Sequence, residues 1–271
     1  MIDYHIHTPL CNHAHGSMED YIRHAIGKGL KEICFLDHLI LAGPGMKHSM
    51  DIREIPFYMQ AIARFKYRYR DSITIKAGLE VDFLPEKRDM IEEILGRHDF
   101  DAIGGSFHFV KGFNVASRKE KPPEREEDRE ALAEAYFEGL CRMLEWPYFD
   151  FICHPDIVKK TGITVPDRLA PLIDEVLARI SAKNVALEFN TAGWEHPGRD
   201  SYPSESFVRK CFLKHIPFTL GSDAHSPENV GLHFDRAVSV LRASGYSEIL
   251  SFEKRLARPV PLPDIRCPIL S

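Results

Sequence analysis

Apolar and polar positions along this chain follow two rhythms that take turns. Met1 to His7 has the period of a short strand, so Ile2, Tyr4 and Ile6 share one face while Asp3, His5 and His7 share the other. Ser17-Met18-Glu19-Asp20 then reads as a helix N-cap with acids in the first turn. Tyr21, Ile22, Ala25, Ile26 and Leu30 form its apolar stripe, punctuated by Gly29. Glu32 to Asp37 is a short apolar run of the kind a buried parallel strand shows, and it stops at Asp37-His38. After a Gly/Pro loop at Ala42 to Met46 the alternation repeats: helix at Ile55 to Tyr69, strand at Ser72 to Phe83 carrying Glu80, helix at Glu86 to Gly96, strand at Phe100 to Phe109 carrying His108. A long loop, Lys111 to Glu124, leads to a helix at Arg125 to Trp146 and a strand, Phe149 to Cys153, that runs into His154. A helix at Pro171 to Ser181, a strand at Val185 to Phe189 ending at Asn190, and a helix at Ser204 to His215 follow. The last strand, Pro217 to Gly221, ends in Ser222-Asp223-Ala224-His225. A helix from about Gly231 to Ala243 and a Pro-rich tail close the series.

Strands alternating with helices specify an α/β fold with a parallel sheet. In closed barrels and open sheets alike, the C-terminal strand ends share one face of the molecule. His5, His7, His13, Asp37, His38, Glu80, His108, His154, Asn190, Asp223 and His225 lie at or just beyond those ends, so residues remote in sequence are expected to converge there. A single histidine in such a place is commonplace, and a solvated edge strand would account for it. For the series that reading fails, because each unpaired buried imidazole or carboxylate costs about 1–3 kcal/mol. Divalent cations remove that cost, since neutral imidazole nitrogens and carboxylate oxygens are the ligands Zn²⁺, Mn²⁺ and Fe²⁺ take. The pattern points to a multinuclear metal site.

Composition narrows the class. The 271 residues carry no internal repeat, low-complexity tract or composition break, so a single domain over 1–271 is expected. No apolar run approaches the roughly 20 residues a membrane span requires, and Met1 leads straight into a polar strand without the pattern of an export signal. Cysteines at 11, 34, 141, 153, 211 and 267 form no CxxC pair, as expected of free thiols in a reducing, cytoplasmic setting. A formal net charge of −5 leaves no basic footprint for nucleic acid, and the Arg64, Lys66, Arg68 and Arg70 run reads as a solvated helix face. Oligomeric state is not legible. The Lys111 to Glu124 loop is long enough to cover a substrate, with Asn114, Arg118 and Lys119 its polar candidates for contact.

Asp3-Tyr4-His5-Ile6-His7-Thr8, the Cys11-Asn12-His13-Ala14 loop, Asp37-His38, Gly78-Leu79-Glu80, Gly105-Ser106-Phe107-His108, Cys153-His154-Pro155-Asp156, Glu188-Phe189-Asn190-Thr191 and Gly221-Ser222-Asp223-Ala224-His225 resemble, in order and spacing, the polymerase and histidinol phosphatase (PHP) superfamily. Within it the chain looks most like the monofunctional histidinol-phosphate phosphatases. The resemblance implies a distorted seven-stranded (β/α)7, TIM-like barrel holding three divalent metal ions, Zn, Mn or Fe. Carried over by position, it implies that His5, His7, Glu80 and Asp223 hold one ion, that Glu80 bridges to a second held with His108 and His154, and that His13, His38 and His225 hold the third. His13 is preferred to His15 by its place in the CxHA loop. Asn190 and the basic residues Lys159, Lys160 and Arg199 stand where a phosphorylated substrate is expected, although Lys offers a point charge where Arg offers a fork. Asp37, Asp223 and His225 are the nearest candidates for catalytic proton delivery, with no general acid singled out, and Asp3 for orienting a histidine ligand. The implied reaction is hydrolysis of L-histidinol phosphate in histidine biosynthesis by metal-activated hydroxide. Alternatives are a PHP phosphoesterase for another small monoester or nucleotide, a non-catalytic metal-binding PHP module, and an amide hydrolase of another barrel family, which lacks here its usual mid-strand lysine.

Overall fold

The computed structural model describes residues 1–117 and 119–264. The chain runs β1 (Ile2–Ile6), α1 (Met18–Gly27), β2 (Glu32–Leu39), α2 (Ile55–Arg68), β3 (Thr74–Asp82), α3 (Arg88–Arg97), β4 (Ala102–Ser106), β5 (Phe109–Val110) and β6 (Phe113–Asn114). It continues through α4 (Glu126–Met143), β7 (Phe151–Ile152), α5 (Ala170–Lys183), β8 (Ala186–Asn190), α6 (Glu205–Leu213), β9 (Phe218–Gly221), α7 (Phe234–Ala243), β10 (Glu248–Glu253) and β11 (Leu256–Pro261). The start of α1 shows how closely local sequence sets an element. Ser17 Oγ accepts the Asp20 N–H while the Asp20 carboxylate accepts the Ser17 N–H, a reciprocal capping box.

Seven parallel strands lie in the order β1-β2-β3-β4-β7-β8-β9. The ends of that row meet: the His7 N–H donates to the Ala224 carbonyl at 3.0 Å and the Ala224 N–H to the His5 carbonyl at 3.1 Å, so the sheet curls into a distorted barrel. Register places His38 beside Glu80 and Asn190 beside Gly221 at one rim. Tyr4, Phe151 and Phe218 are fully buried among the apolar side chains of the strands. No helix among the described residues is long and apolar enough to cross a membrane.

Two segments differ from the sequence expectation. The 111–124 loop begins inside a small hairpin, β5 paired with β6, and Arg118 lies outside the described residues. Where the sequence showed only a Pro-rich tail, the described part holds the antiparallel pair β10–β11; residues 265–271 lie outside the described residues. Pro259 and Pro261 conceal it from a pattern reading, yet both sit in an exposed edge strand, where a missing N–H costs little. The hairpin closes the barrel end away from the ligand-bearing rim. Tyr4 Oη accepts the Phe252 N–H at 2.6 Å and bonds to Glu32, while the Arg255 N–H donates to the Asp101 carbonyl at 2.9 Å.

Candidate metal centre

Strand ends deliver the site. His5 lies in β1 and His7 just beyond it, His38 is the penultimate residue of β2, Glu80 stands in β3, and His108, His154 and Asp223 follow β4, β7 and β9. His154 and Asp223 turn inward with φ of 28° and 52°, a left-handed backbone that a non-glycine residue adopts at a cost of order 1 kcal/mol and that is concentrated at functional sites. Glu80 is the hub. Its Oε1 lies 2.8 Å from His154 Nε2 and 3.5 Å from His108 Nε2; its Oε2 lies 2.6 Å from His38 Nδ1, 3.4 Å from His5 Nε2 and 3.8 Å from His7 Nε2. Asp223 Oδ1 is 3.0 Å from His7 Nε2 and 3.7 Å from His5 Nε2. His7 stacks between His38 and His225, at ring separations of 4.3 and 4.1 Å, and His13 faces His225.

The outward ring nitrogens are held so that the inner ones face each other. Nδ1 of His13 bonds to the Cys11 carbonyl at 2.8 Å, Nδ1 of His225 to the Asp223 carbonyl at 2.9 Å, and Nδ1 of His5 to Glu188 Oε1 at 2.7 Å. A carbonyl accepts only, so in His13 and His225 it fixes the proton on Nδ1 and leaves Nε2 as a lone pair. Those two Nε2 atoms are 2.9 Å apart. His5 Nε2, His38 Nδ1 and Glu80 Oε2 face one another and are buried without a hydrogen-bond partner, the short His38–Glu80 approach lacking hydrogen-bond geometry. Buried lone pairs aimed at a common space require positive charge there, and imidazole with carboxylate is the donor set of a divalent transition-metal ion. Groups such as His5–His7–Asp223, His5–Glu80–His154 and His7–His38–His225 each bring three donor atoms within 4.8 Å of one another.

Electrostatics sort the same residues. Burial disfavours the charged form of His13, with His38 nearby adding to it, and its pKa falls to about 4; burial likewise holds His108 and His225 well below the ordinary value. Burial also opposes charge on His5 and His7. There the carboxylates win: Glu188, Asp223 and Glu80 raise His5, and Asp223 with Asp37 raises His7 to about 9. Burial alone would lift Glu80 and Asp223, but the surrounding imidazoles keep both well below the usual carboxylate range.

The cluster floors a cavity of about 520 Å³. His13, His38, His108, His154, Asp223 and His225 line it, as does His15, and it is the His13 ring that meets those of His38 and His225. Of the other candidates, Lys160 reaches the cavity, while Lys159, Arg199, Asn190 and Asp37 do not. Lys159 Nζ is spent on Asp156 at 2.8 Å, Asp200 at 2.8 Å and the Ser201 carbonyl at 2.7 Å. Asn190 is fully buried, bonded to Glu188 and Asp223, and Arg199 is exposed on the loop beyond β8. Asp37, also fully buried, accepts from Thr8 Oγ1 and the His38 N–H, which keeps it from delivering a proton to a ligand in the cavity. Asp3 accepts the backbone N–H of His5, Ser222 and Gly231 rather than any ring nitrogen. The carboxylate that orients His5 is Glu188, which the sequence showed within the Glu188-Phe189-Asn190-Thr191 motif but with no role attached to it. Gly221 makes room for it, since a Cβ there would sit 2.0 Å from Glu188 Oε1. Glu195, His48 and His196 also line the cavity, unmarked by any motif.

Known proteins share both the sequence pattern and the architecture. Residues 3–192 match the family described as "PHP domain". A "Probable histidinol-phosphatase" of Deinococcus radiodurans is 34% identical over 263 residues, covering 96% of this chain and 99% of that protein. The histidinol-phosphatase of Lactococcus lactis subsp. lactis is 25% identical, covering 93% of this chain and 94% of that protein. A crystal structure of histidinol phosphate phosphatase from Lactococcus lactis, complexed with Zn, L-histidinol and phosphate, superposes with a TM-score of 0.82 at 22% identity, over 95% of this chain and 98% of that one.

Proposed function

This chain belongs to the PHP domain family, and from that premise we propose that it is a metal-dependent phosphatase hydrolysing L-histidinol phosphate to L-histidinol and phosphate, a step of histidine biosynthesis. The observation that carries the reading is the set of buried, mutually facing imidazole and carboxylate donors at the floor of an open cavity. Three divalent ions, Zn²⁺, Mn²⁺ or Fe²⁺, are assigned to His5, His7, Glu80 and Asp223, to Glu80, His108 and His154, and to His13, His38 and His225. When bound, such ions supply a nucleophile from water near neutral pH and neutralise the charge of a phosphate monoester.

The protein's own groups do the rest. Glu80, with one oxygen toward His154 and the other toward His38, spaces neighbouring sites. The carbonyls of Cys11 and Asp223 hold His13 and His225 in the tautomer that presents Nε2 inward. Lys160 adds positive charge at the cavity wall for the phosphate group. Asp223 and His225 remain the nearest groups to a leaving oxygen. The single-domain reading of 1–271 and a cytoplasmic setting belong to the same proposal. The buried free thiols Cys11, Cys34, Cys141, Cys153 and Cys211 suit a reducing compartment.

Phosphate release from L-histidinol phosphate is the test, with protein stripped of metal and then reconstituted with Zn²⁺, Mn²⁺ or Fe²⁺. Activity that vanishes on stripping and returns on reconstitution is expected. Inactivity on this ester, with turnover of another phosphomonoester, would move the substrate. Inactivity across a broad metal and ester panel would sink the enzymatic reading. His154→Ala is expected to abolish turnover and lower metal content; full activity with a full metal complement would contradict its role as a ligand.

A further inference from the structure

Part of the cavity wall is the turn that follows β8, residues Ala192–Glu195. This turn is rigid. Trp194 is buried beneath it, 5.7 Å from the Phe189 ring, with the Arg236 guanidinium stacked 4.3 Å over its face. Gly193 passes so close to the Asp200 carbonyl that a Cβ would lie 2.1 Å from that oxygen, which holds the backbone in one path. Glu195 stands at the end of the turn and faces the cavity, its Oε1 2.6 Å from His233 Nε2 at the start of α7. Asp223 and Glu195 are the only carboxylates among the described residues lining this cavity, and Asp223 lies within the histidine cluster.

L-Histidinol phosphate brings three chemistries into that space: a phosphate dianion, an imidazole, and a primary ammonium one carbon from the ester carbon. The floor and the Lys160 side of the wall suit the phosphate and repel the ammonium, because bound divalent ions and Lys160 are all positive. A cationic substituent therefore needs negative charge on the wall, beyond the metal ligands. We propose that Glu195 is the anchor for the substrate's ammonium group, and that it makes the enzyme select an amino-alcohol phosphate over the corresponding ester without an amine. A carboxylate accepts from more than one donor, so His233 on Oε1 leaves the second oxygen able to take an ammonium N–H. The hydrogen bond from His233 also holds the Glu195 carboxyl below its ordinary pKa, so the anchor is charged at neutral pH. The assignment rests on the hydrolysis of L-histidinol phosphate proposed above.

The decisive quantity is the ratio of kcat/KM for L-histidinol phosphate to kcat/KM for its deaminated analogue, measured on metal-loaded protein. Wild type is expected to prefer the amine. In Glu195→Gln the ratio should fall roughly ten- to a hundredfold, the usual effect of losing a charge-assisted hydrogen bond. Glu195→Asp, which keeps the charge on a shorter arm, should fall in between, and L-histidinol itself should bind more weakly to Glu195→Gln by calorimetry. A purely structural role for Glu195 would depress both esters together, so the ratio would hold; that result overturns the anchor, as does a wild type that hydrolyses both esters without preference. A wild type that hydrolyses neither ester fails earlier, at the phosphatase reading, and takes the anchor with it.

Discussion

His5, His13 and His225 each have one nitrogen held by the protein and one turned toward the cluster, and what holds the first decides what the second can do. His5 depends on Glu188, which also accepts the His154 N–H at 2.8 Å and the Asn190 amide at 3.1 Å. Glu188→Gln is expected to weaken metal binding by about 10- to 100-fold, as loss of such supporting partners does, with secondary structure retained by circular dichroism. Unaltered affinity in a competitive chelator titration would remove Glu188 from that role. His7 carries a second consequence. With its pKa raised from 6.5 to about 9, it is protonated in the metal-free protein at pH 7.5, whereas His13, lowered to about 4, is already neutral. The folded pKa of His7 lies above the unfolded one. Its contribution to metal-free stability is therefore full below about pH 6.5 and lost as pH rises through about 9. A cation entering the site must displace that proton, so affinity should climb with pH toward about 9. Calorimetric metal titrations at pH 7.5 in buffers of different ionisation enthalpy should report proton release; identical heats would refute it.

Adjacent residues in one turn can have opposite tasks. In the turn Ile157–Thr161 after β7, Lys159 points into the protein and ties Asp156 to the 200–201 segment, while Lys160 faces the cavity. Burial raises the Asp156 pKa and the Lys159 ammonium counters it, so Lys159→Ala leaves a buried carboxylate unpaired. A loss of about 3 kcal/mol in urea unfolding is expected, typical of breaking a buried pair, with kcat changed only severalfold. Lys160→Ala should act on the substrate instead, raising KM for the phosphate ester and costing less stability than Lys159→Ala. Equal stabilities for the two variants would mean that the turn's division of labour is wrong.

The whole barrel is fastened at two ends by different means. At one end the β10–β11 hairpin packs Phe252 against Tyr4 and Phe151, at ring separations of 5.6 and 5.5 Å. At the other, the proposed ions bind side chains from β1, β2, β3 and the segments after β4, β7 and β9, so their removal loosens six of the seven barrel strands together. Binding at a thousand times Kd stabilises by about 4 kcal/mol. With about 2–4 °C of Tm per kcal/mol for a chain of this size class, chelation should lower Tm by roughly 10 °C, restored by adding the metal back. A Tm indifferent to chelator in scanning calorimetry would show that the cluster folds without cations.

The alternation of strand and helix, and the polar residues placed where strands stop, are local properties, so the sequence determined the α/β class, the ligand-bearing rim and the identity of the histidines, Glu80 and Asp223 brought together there. It could not determine direction. Asp37 and Asp223 both lie at strand exits, yet one is sealed under Thr8 and the other opens to the cavity, because strand twist and barrel closure set where each side chain aims. The role of Glu188 was illegible because its partner His5 lies 183 residues away, and Pro259 and Pro261 concealed a strand that only an edge position permits. Only the closed sheet decided those matters, since each depends on a neighbour that no stretch of local sequence contains.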